Sequence, residues 1–328
     1  MTTTAKVFVT RDLPGDALDR LRLACDVTIW PEDRPPSPQE LRESVTACDG
    51  MLTLLSDRID GSIMDAAGDG LKVISNYAVG FNNVDLNAAR QRNVAVGNTP
   101  DVLTDATADI AVTLALAASR HIVPAYDSIR NGQWGAWQPN GWLGRQLNGG
   151  TLGIVGMGRI GAAVARRLHH GWNMNVVYTA RSRHASVERE LNAQRLDLDT
   201  LLDRSNVVSL HVPLDEQTRH LIDGPRLARM RESAILVNTA RGEIIDQDAL
   251  VTSLQKGHPF AAGLDVTTPE PLPQNHPLVS LPNVLITPHI GSATSEARQA
   301  MARIAVDNLI AGIRQRPLPH AVVDNDRS

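Results

Sequence analysis

Three chemically reactive side chains, Arg241, Glu270 and His289, follow three apolar segments in the second half of the chain. The segments are predicted to be strands at 235–237, 262–264 and 284–287. Because the carboxyl ends of parallel strands meet at one edge of a sheet, we expect these side chains to lie close together. Reduction of a 2-oxo acid requires a cation for the carboxylate, a proton donor for the carbonyl oxygen, and an acid that keeps this donor protonated. Arg241, His289 and Glu270 match these three roles.

Each of these side chains also has an ordinary structural interpretation. An arginine after a strand is often a surface charge, and a histidine is often a hydrogen-bonded structural residue. Because Arg241, Glu270 and His289 occur together at successive strand ends, the catalytic interpretation is favoured over the structural one. His211 follows another predicted strand, 207–210, but has no acidic residue in its motif, so it is predicted to line a cofactor groove.

The segment 151–161 is an apolar strand that runs into G-x-G-x-x-G, and a helix of small residues follows it. In this motif the first glycine makes the tight turn, the second lets the backbone approach a pyrophosphate, and the third lets the helix pack close to the strand. The free N–H groups at the start of the helix favour phosphate. The alternative is a glycine-rich turn between core elements. The motif predicts dinucleotide-binding residues Gly156, Gly158, Arg159, Ile160 and Gly161.

The strand after this motif, 175–180, ends in Arg181, Ser182 and Arg183. An NAD enzyme places Asp or Glu about 20 residues past the glycines, where it accepts hydrogen bonds from the ribose 2′-OH. Two guanidinium groups and a hydroxyl suit a 2′-phosphate instead. We therefore predict NADP as the cofactor, with NAD as the second choice. The alternative is that both arginines are solvated loop charges.

Length and composition are typical of a two-domain enzyme. The 328 residues suffice for two cores, and the net charge of −4 does not favour nucleic acid as a partner. Cys25 and Cys48 have no metal-ligand spacing, so we predict no metal site and a reducing compartment. The N-terminus lacks the apolar core of a signal peptide, and the apolar segment 110–118 is too short to span a bilayer. We expect a cytoplasmic protein without a membrane partner.

Strand and helix patterns alternate along the whole chain, which predicts an α/β fold with two doubly wound parallel sheets. Five short strands precede residue 103, and six more follow residue 150. We expect a Rossmann cofactor domain at 104–291, inserted into a flavodoxin-like substrate domain at 1–103 and 292–328. Long helices at 104–122 and 295–313 would carry the chain into and out of the inserted domain.

Three of the five tryptophans, Trp134, Trp137 and Trp142, crowd into a nine-residue loop segment rich in glycine and proline. Only 3% of the residues are aromatic, so this clustering is informative. Aromatic side chains in such a loop form either a small local core or a contact surface for a partner or ligand. The pattern alone leaves both interpretations open.

At this point the chain resembles the D-isomer-specific 2-hydroxyacid dehydrogenases, and within them the glyoxylate/hydroxypyruvate reductases. The resemblance spans nearly the whole length and is densest at 98–108, 263–273 and 288–294. The spaced Arg, Glu and His are more specific to this family than the glycine motif. The resemblance implies NADP-preferring reduction of glyoxylate to glycolate and of hydroxypyruvate to D-glycerate, with His289 as general acid.

The resemblance also implies roles for individual residues. The substrate carboxylate and carbonyl would contact Arg241, the backbone of Val79 and Gly80, and Ser292. Asp265 would contact the nicotinamide carboxamide, and the cofactor groove would be lined by Thr107, His211, Thr239 and Gly291. Trp142 matches a tryptophan that reaches into the active site of the partner subunit, which implies a homodimer. Asn83 stands where many relatives have His, which puts the fine positioning of substrate there in doubt.

Two other functions compete with this one. A 3-phosphoglycerate dehydrogenase would have an acidic residue at the end of the second cofactor strand and usually an added regulatory domain. A dinucleotide-sensing corepressor on the same fold can keep the Arg, Glu and His without being an enzyme. A turnover assay discriminates between an enzyme and a corepressor.

Overall fold

The computed structural model describes residues 4–323, and the chain divides into two compact units, Met1–Leu103 with Ala293–Ser328 and Thr104–Ser292. In residues 4–103, strands and helices alternate in the order β1 (Lys6–Val9), α1 (Ala17–Arg22), β2 (Asp26–Ile29), α2 (Pro38–Ser44), β3 (Gly50–Thr53), α3 (Gly61–Ala67), β4 (Val73–Asn76), α4 (Leu86–Gln91) and β5 (Ala95–Gly97). The helix starts have local causes. Asp60 and Asp85 cap α3 and α4 through their side chains, and Ser37 and Glu40 form a capping box at α2.

The second unit contains a seven-stranded sheet. Its elements are α5 (Thr104–Ser119), α6 (Ile122–Arg130), β6 (Thr151–Val155), α7 (Arg159–Trp172), β7 (Asn175–Thr179), α8 (Ala185–Leu191), β8 (Gln194–Arg195), α9 (Leu198–Arg204), β9 (Val207–Leu210), α10 (Gly224–Arg229), β10 (Ile235–Asn238), a 3₁₀ turn (Gly242–Ile244), α11 (Gln247–Gln255), β11 (Ala261–Leu264), α12 (Pro277–Ser280) and β12 (Val284–Ile286). All its strands are parallel, in the order β12-β11-β10-β9-β6-β7-β8. This is a doubly wound Rossmann sheet.

The chain then returns to the first unit through α13 (Ser295–Ile313) and β13 (Ala321–Val323). The first sheet has the order β13-β5-β4-β3-β1-β2, in which only β13 is antiparallel among the described strands. Its five parallel strands have flavodoxin-like order, and α13 packs against β3 and β4. The predicted fold class of two doubly wound parallel-sheet domains is confirmed.

Both faces of the second sheet are covered by apolar helices, which is the burial that parallel strands require. One core includes Ala111 and Leu114 of α5 and Ala165 of α7, packed around Ile154 and Tyr178. The core on the other face is built around α9, α10 and α11. The strands are therefore held rigidly, and the residues that follow them have fixed starting points.

The structure differs from the sequence-based expectation at the helix predicted for 104–122. The helix α5 ends at Ser119, because His121 adopts a left-handed φ of 51° and α6 begins as a separate helix. Within residues 4–323 no single helix is long and apolar enough to cross a membrane. Only α5 and α6 taken together are long and apolar enough for this, and they are bent by 65° where they meet.

Candidate active site and cofactor site

The register of the second sheet aligns the ends of four strands. Val155 pairs with Leu210, Leu210 with Asn238, and Asn238 with Leu264. The next residue after each strand therefore lies at the same carboxyl edge, where ligands bind in this fold. Those residues are Gly156, His211, Thr239 and Asp265.

The glycine loop has the geometry that a dinucleotide phosphate requires. Gly156 has a φ of 97°, and a Cβ there would lie 2.7 Å from the carbonyl carbon of His211. A Cβ at Gly161 would lie 2.2 Å from the carbonyl oxygen of Gly156, so only glycine lets α7 approach the strand this closely. A Cβ at Gly158 would meet no protein atom within 4 Å. The space beside Gly158 and the first amides of α7, which include Arg159 and Ile160, can therefore accept a pyrophosphate.

His211 begins the loop after β9. Its amide donates to the carbonyl of Val155, and its Nε2 lies 2.8 Å from Ser209 Oγ. Burial lowers the pKa of His211 to about 3, so the ring is neutral at pH 7. This neutral imidazole lies at the carboxyl edge of the sheet.

A second test of the cofactor fit comes from Thr239, which directly follows β10. Its Oγ1 is buried and has no hydrogen-bond partner among residues 4–323. Buried hydroxyls are nearly always hydrogen-bonded, so an orphaned one at a ligand edge indicates a missing partner. Gly291 is also close to this edge: a Cβ there would lie 3.1 Å from Asp265 Oδ2 and 3.3 Å from Thr107 Cγ2.

Arg241 is positioned by the turn that follows Thr239. Asn238, the last residue of β10, accepts from the amide of Ala240 through its side-chain oxygen and donates 2.8 Å to the carbonyl of Arg241. The Arg241 Nη1 donates to the carbonyl of Ala240 at 2.6 Å. Burial lowers the pKa of Arg241, and the nearby carboxylates of Glu270 and Glu243 oppose this shift. Arg241 is thus a half-buried cation on a turn that Asn238 fixes.

Asp265 organises the loop that carries His289. Only 1% of Asp265 is exposed. Its Oδ1 accepts from the amide of Ile290 and from Thr287 Oγ1, and its Oδ2 accepts from the amide of Gly291. One acceptor position of Oδ2 remains for a further donor such as a carboxamide. His289 itself has a left-handed φ of 53°, a conformation that non-glycine residues adopt mainly where surrounding contacts impose it.

Glu270 and His289 form the central pair of the site. The His289 Nδ1 lies 2.9 Å from Glu270 Oε2, and Glu270 Oε1 accepts from the amide of Thr267 at 3.0 Å. Burial raises the pKa of Glu270, but the bond and charge of His289, the Thr267 amide and Arg241 outweigh it, so the pKa lies below the ordinary value. Glu270 is therefore ionised at neutral pH and favours a proton on His289. The Nε2 of His289 has no partner within the described part of the chain.

The cations predicted to bind a 2′-phosphate follow β7. Arg181 has no ion pair or side-chain hydrogen bond within residues 4–323. Arg183 differs, because its Nε lies 2.7 Å from Glu188 Oε2, and Glu188 also accepts from the hydroxyl of Tyr178. Three-quarters of the Arg183 side chain is still exposed. The charge of Arg183 is therefore partly compensated, whereas that of Arg181 is not.

The predicted substrate residues Val79 and Gly80 lie in the other unit, in the loop after β4. The side-chain amide of Asn98 donates to the carbonyl of Val79, and that of Asn76 donates to the carbonyl of Gly80. The amides of Val79 and Gly80 have no backbone acceptor in the described residues. Asn83 donates to the carbonyls of Leu54 and Asp57, so it anchors this loop.

The tryptophan-rich segment is exposed. The exposed fractions of Trp134, Trp137 and Trp142 are 72%, 84% and 53%. These exposures argue against a local core, one of the two interpretations that the sequence left open. Ser292 is half-buried at the end of the second unit. Among residues 4–323, no group of three or more His, Cys, Asp or Glu is placed to hold a metal ion.

Two residues that position the site were not predicted from the sequence. Asn238 ends an apolar strand, and its role depends on a turn whose geometry sequence patterns do not reveal. Arg195 lies in the two-residue strand β8, and its guanidinium donates to the carbonyls of Ala180 and Arg181. Only the pairing of β8 with β7 places Arg195 beside the loop that follows β7.

Comparisons with known proteins agree with this geometry. The family model for the D-isomer specific 2-hydroxyacid dehydrogenase, NAD binding domain, matches residues 112–291. Glyoxylate reductase of Thermofilum pendens is 47% identical over 324 residues, which cover 98% of this chain and 95% of the relative. The crystal structure of a Thermus thermophilus protein has 48% identity and a TM-score of 0.89, and the match covers 97% of this chain and 100% of that one.

A crystal structure of a glyoxylate reductase from Paecilomyes thermophila has 30% identity and a TM-score of 0.86, and the match covers 98% of this chain and 99% of that one. Both the sequence relatives and the structural neighbours thus extend over nearly the whole chain. The chain belongs to the D-isomer-specific 2-hydroxyacid dehydrogenase family and is an oxidoreductase that uses a nicotinamide dinucleotide.

Proposed function

We propose that this protein is an NADPH-preferring reductase of small 2-oxo acids, which converts glyoxylate to glycolate and hydroxypyruvate to D-glycerate. The observation that carries the proposal is the 2.9 Å pair of His289 and Glu270, whose outer nitrogen has no partner in the described residues. Relatives that are 42–47% identical are named glyoxylate reductase, which favours glyoxylate as a substrate.

The nicotinamide, when bound, supplies the hydride that reduces the carbonyl carbon. His289 donates a proton from Nε2 to the carbonyl oxygen, where negative charge develops. Glu270 accepts a hydrogen bond from Nδ1, which orients the ring and keeps the outer nitrogen protonated. Arg241 binds the substrate carboxylate as a half-buried cation, because a guanidinium presents two parallel donors to a carboxylate.

Further residues complete the proposed sites. The unpartnered amides of Val79 and Gly80 are assigned to the carboxylate, as the family resemblance implies, and Ser292 is assigned to the substrate. Thr239 is assigned to the cofactor because its buried hydroxyl lacks a partner. Asp265, His211, Thr107 and Gly291 are assigned to the nicotinamide half on the same resemblance.

The preference for NADPH depends on the loop after β7. An NAD enzyme accepts hydrogen bonds from the ribose hydroxyls with a carboxylate at the end of this strand. Here Arg181 occupies that position, without a counterion among the described residues, and Ser182 follows it. A guanidinium and a hydroxyl bind a 2′-phosphate well. They offer weaker binding to a ribose that carries two free hydroxyl groups.

A homodimer is proposed because a second copy of this chain fits the exposed apolar surface of α6 and the following loop. The residues Ile122, Tyr126 and Ile129 lie on one helical face and are each more than half exposed. The same exposure extends to Trp134, Trp137 and Trp142. Contiguous apolar surface of this kind marks association sites, and aromatic residues are enriched in them. The family resemblance implies that Trp142 reaches into the substrate pocket of the partner.

Initial-rate kinetics with a panel of 2-oxo acids tests this function. NADPH and NADH are each combined with glyoxylate, hydroxypyruvate, pyruvate and 3-phosphohydroxypyruvate. We expect the highest kcat/KM for NADPH with glyoxylate or hydroxypyruvate. Dominant activity on the phosphorylated acid would identify a 3-phosphoglycerate dehydrogenase instead. Cofactor binding without turnover of any acid would favour a dinucleotide sensor.

A further inference from the structure

The side chain of Arg195 closes the loop that follows β7. Strand β8 pairs with β7 in parallel, with Arg195 opposite Tyr178. The Arg195 Nη2 donates to the carbonyl of Ala180 at 2.8 Å and to that of Arg181 at 3.1 Å, and its Nε donates to the carbonyl of Ala180 at 3.2 Å. One guanidinium thus holds two successive peptide groups.

These bonds determine where the neighbouring amides point. In a trans peptide the C=O and the next N–H point in opposite directions. Because the carbonyls of Ala180 and Arg181 face Arg195, the amides of Arg181 and Ser182 face away from it. Neither amide has a backbone acceptor within residues 4–323. Successive amides that point outward form a small concavity that binds anions.

The charge at this loop supports the same conclusion. No carboxylate of the described residues lies within 4.0 Å of the Arg195 guanidinium, which bonds only to carbonyl oxygens. Arg181 likewise has no ion pair in that part of the chain. Glu188 pairs directly with Arg183, and its carboxylate has a lowered pKa because it accepts from Tyr178 and Arg183 and, at longer range, interacts with the charge of Arg195. Two cations that form no close ion pair within residues 4–323 therefore flank the outward amides.

We propose that Arg195 is a specificity-determining residue for the 2′-phosphate of NADPH. It acts in two ways: it orients the amides of Arg181 and Ser182 toward the phosphate, and it adds a positive charge behind them. The inference rests on the proposed NADPH preference and extends it to a residue that lies outside the loop.

The test uses adenosine fragments, so that it does not depend on turnover. Calorimetric titration measures the binding of 2′,5′-ADP and of 5′-AMP, which differ only in the 2′-phosphate. In wild type, 2′,5′-ADP should bind more tightly. Arg195→Gln should weaken 2′,5′-ADP about tenfold, because it removes both the charge and the carbonyl contacts, and should change 5′-AMP binding less than about twofold. Arg195→Lys keeps the charge but cannot bridge two carbonyls in the same way, so it should recover only part of the loss.

Arg204→Gln is the matched control. It removes the same charge near β8, because Arg204 donates to Gln194 at 3.2 Å, but Arg204 makes no contact with the β7 loop. This variant should bind both fragments as wild type does. If Arg195→Gln weakens the binding of both fragments equally, its role is purely structural and the inference is overturned. The inference is also overturned if Arg195→Gln leaves the binding of both fragments unchanged. Full recovery by Arg195→Lys would overturn the positioning role of the guanidinium.

The same titrations separate this inference from the proposed function. If wild type binds 2′,5′-ADP no better than 5′-AMP, the NADPH preference itself is refuted. If wild type shows the preference and Arg181→Asp abolishes it while Arg195→Gln retains it, the preference stands and the role of Arg195 fails.

Discussion

Replacement of Glu270 by Gln should move the pH profile of reduction to lower pH. Glutamine has nearly the same shape and can still accept a hydrogen bond from His289 Nδ1, so the change removes mainly the negative charge. The pKa of Glu270 lies below the ordinary value because of its contacts with His289, Thr267 and Arg241, so the carboxylate stays charged to a lower pH than an ordinary glutamate does. At neutral and alkaline pH the side chain at this position is therefore negative in wild type and neutral in the variant.

The size of the shift follows from the geometry of the pair. Two opposite charges about 4 Å apart interact by about 1 kcal/mol in water and about 4 kcal/mol near a protein surface. Glu270 is 33% and His289 24% exposed in their side chains, so solvent screens part of this interaction. At about 1.4 kcal/mol per pH unit, we expect the alkaline limb of the kcat profile to move down by about 1–2 units.

The assay is kcat for glyoxylate reduction with saturating NADPH between pH 5 and 10. Glu243→Gln is the matched control, because Glu243 also interacts with the charge of Arg241 but has no hydrogen bond to His289. That variant should leave the alkaline limb close to the wild-type position. If Glu270→Gln retains the wild-type pH profile, the role of the pair in keeping His289 protonated is wrong.

Three further predictions address the cofactor, the fold and the assembly. Arg181→Asp should raise the KM for NADPH by about tenfold or more and the KM for NADH much less, because a carboxylate repels the 2′-phosphate. Initial rates with both cofactors measure this, and equal effects on the two KM values would contradict the assignment. Gly161→Ala should lower the free energy of unfolding by about 1–3 kcal/mol in a denaturant titration, because the new Cβ would lie 2.2 Å from the carbonyl oxygen of Gly156. Unchanged stability would show that α7 can shift without penalty. Trp142→Ala should widen acceptance toward larger 2-oxo acids at nearly constant NADPH KM, whereas Trp137→Ala should not. Wild type should sediment as a dimer, and a fully active monomer at assay concentration would refute the shared pocket.

Much of the second unit was predictable from local patterns. Gly156 and Gly161 are required by close approaches to backbone atoms, so their spacing is a direct sign of the local geometry. The apolar strands are buried on both faces, and their ends therefore indicate which polar residues reach the ligand edge. This is why Arg241, Glu270 and His289 could be grouped before their distances were known.

Other features depend on contacts that sequence patterns do not encode. Strand β8 has only two residues, Gln194 and Arg195, both polar and exposed, so no hydrophobic pattern reveals it. The antiparallel strand β13 lies more than 200 residues from its partner β5. Arg183, in the loop after β7, pairs with Glu188 of α8. The hydroxyl of Tyr178, a buried residue, donates to the same carboxylate. In each case the tertiary structure, rather than local propensity, creates the contact.

The central claim is that His289 protonates the substrate during hydride transfer, and one comparison tests it most directly. The kcat of wild type and of His289→Ala is measured with NADPH and glyoxylate, and the Kd of NADPH is measured by fluorescence titration for both proteins. The account predicts that kcat falls about 10²- to 10⁴-fold while the Kd of NADPH stays within about twofold. A variant that binds NADPH normally and keeps the wild-type kcat would contradict the account.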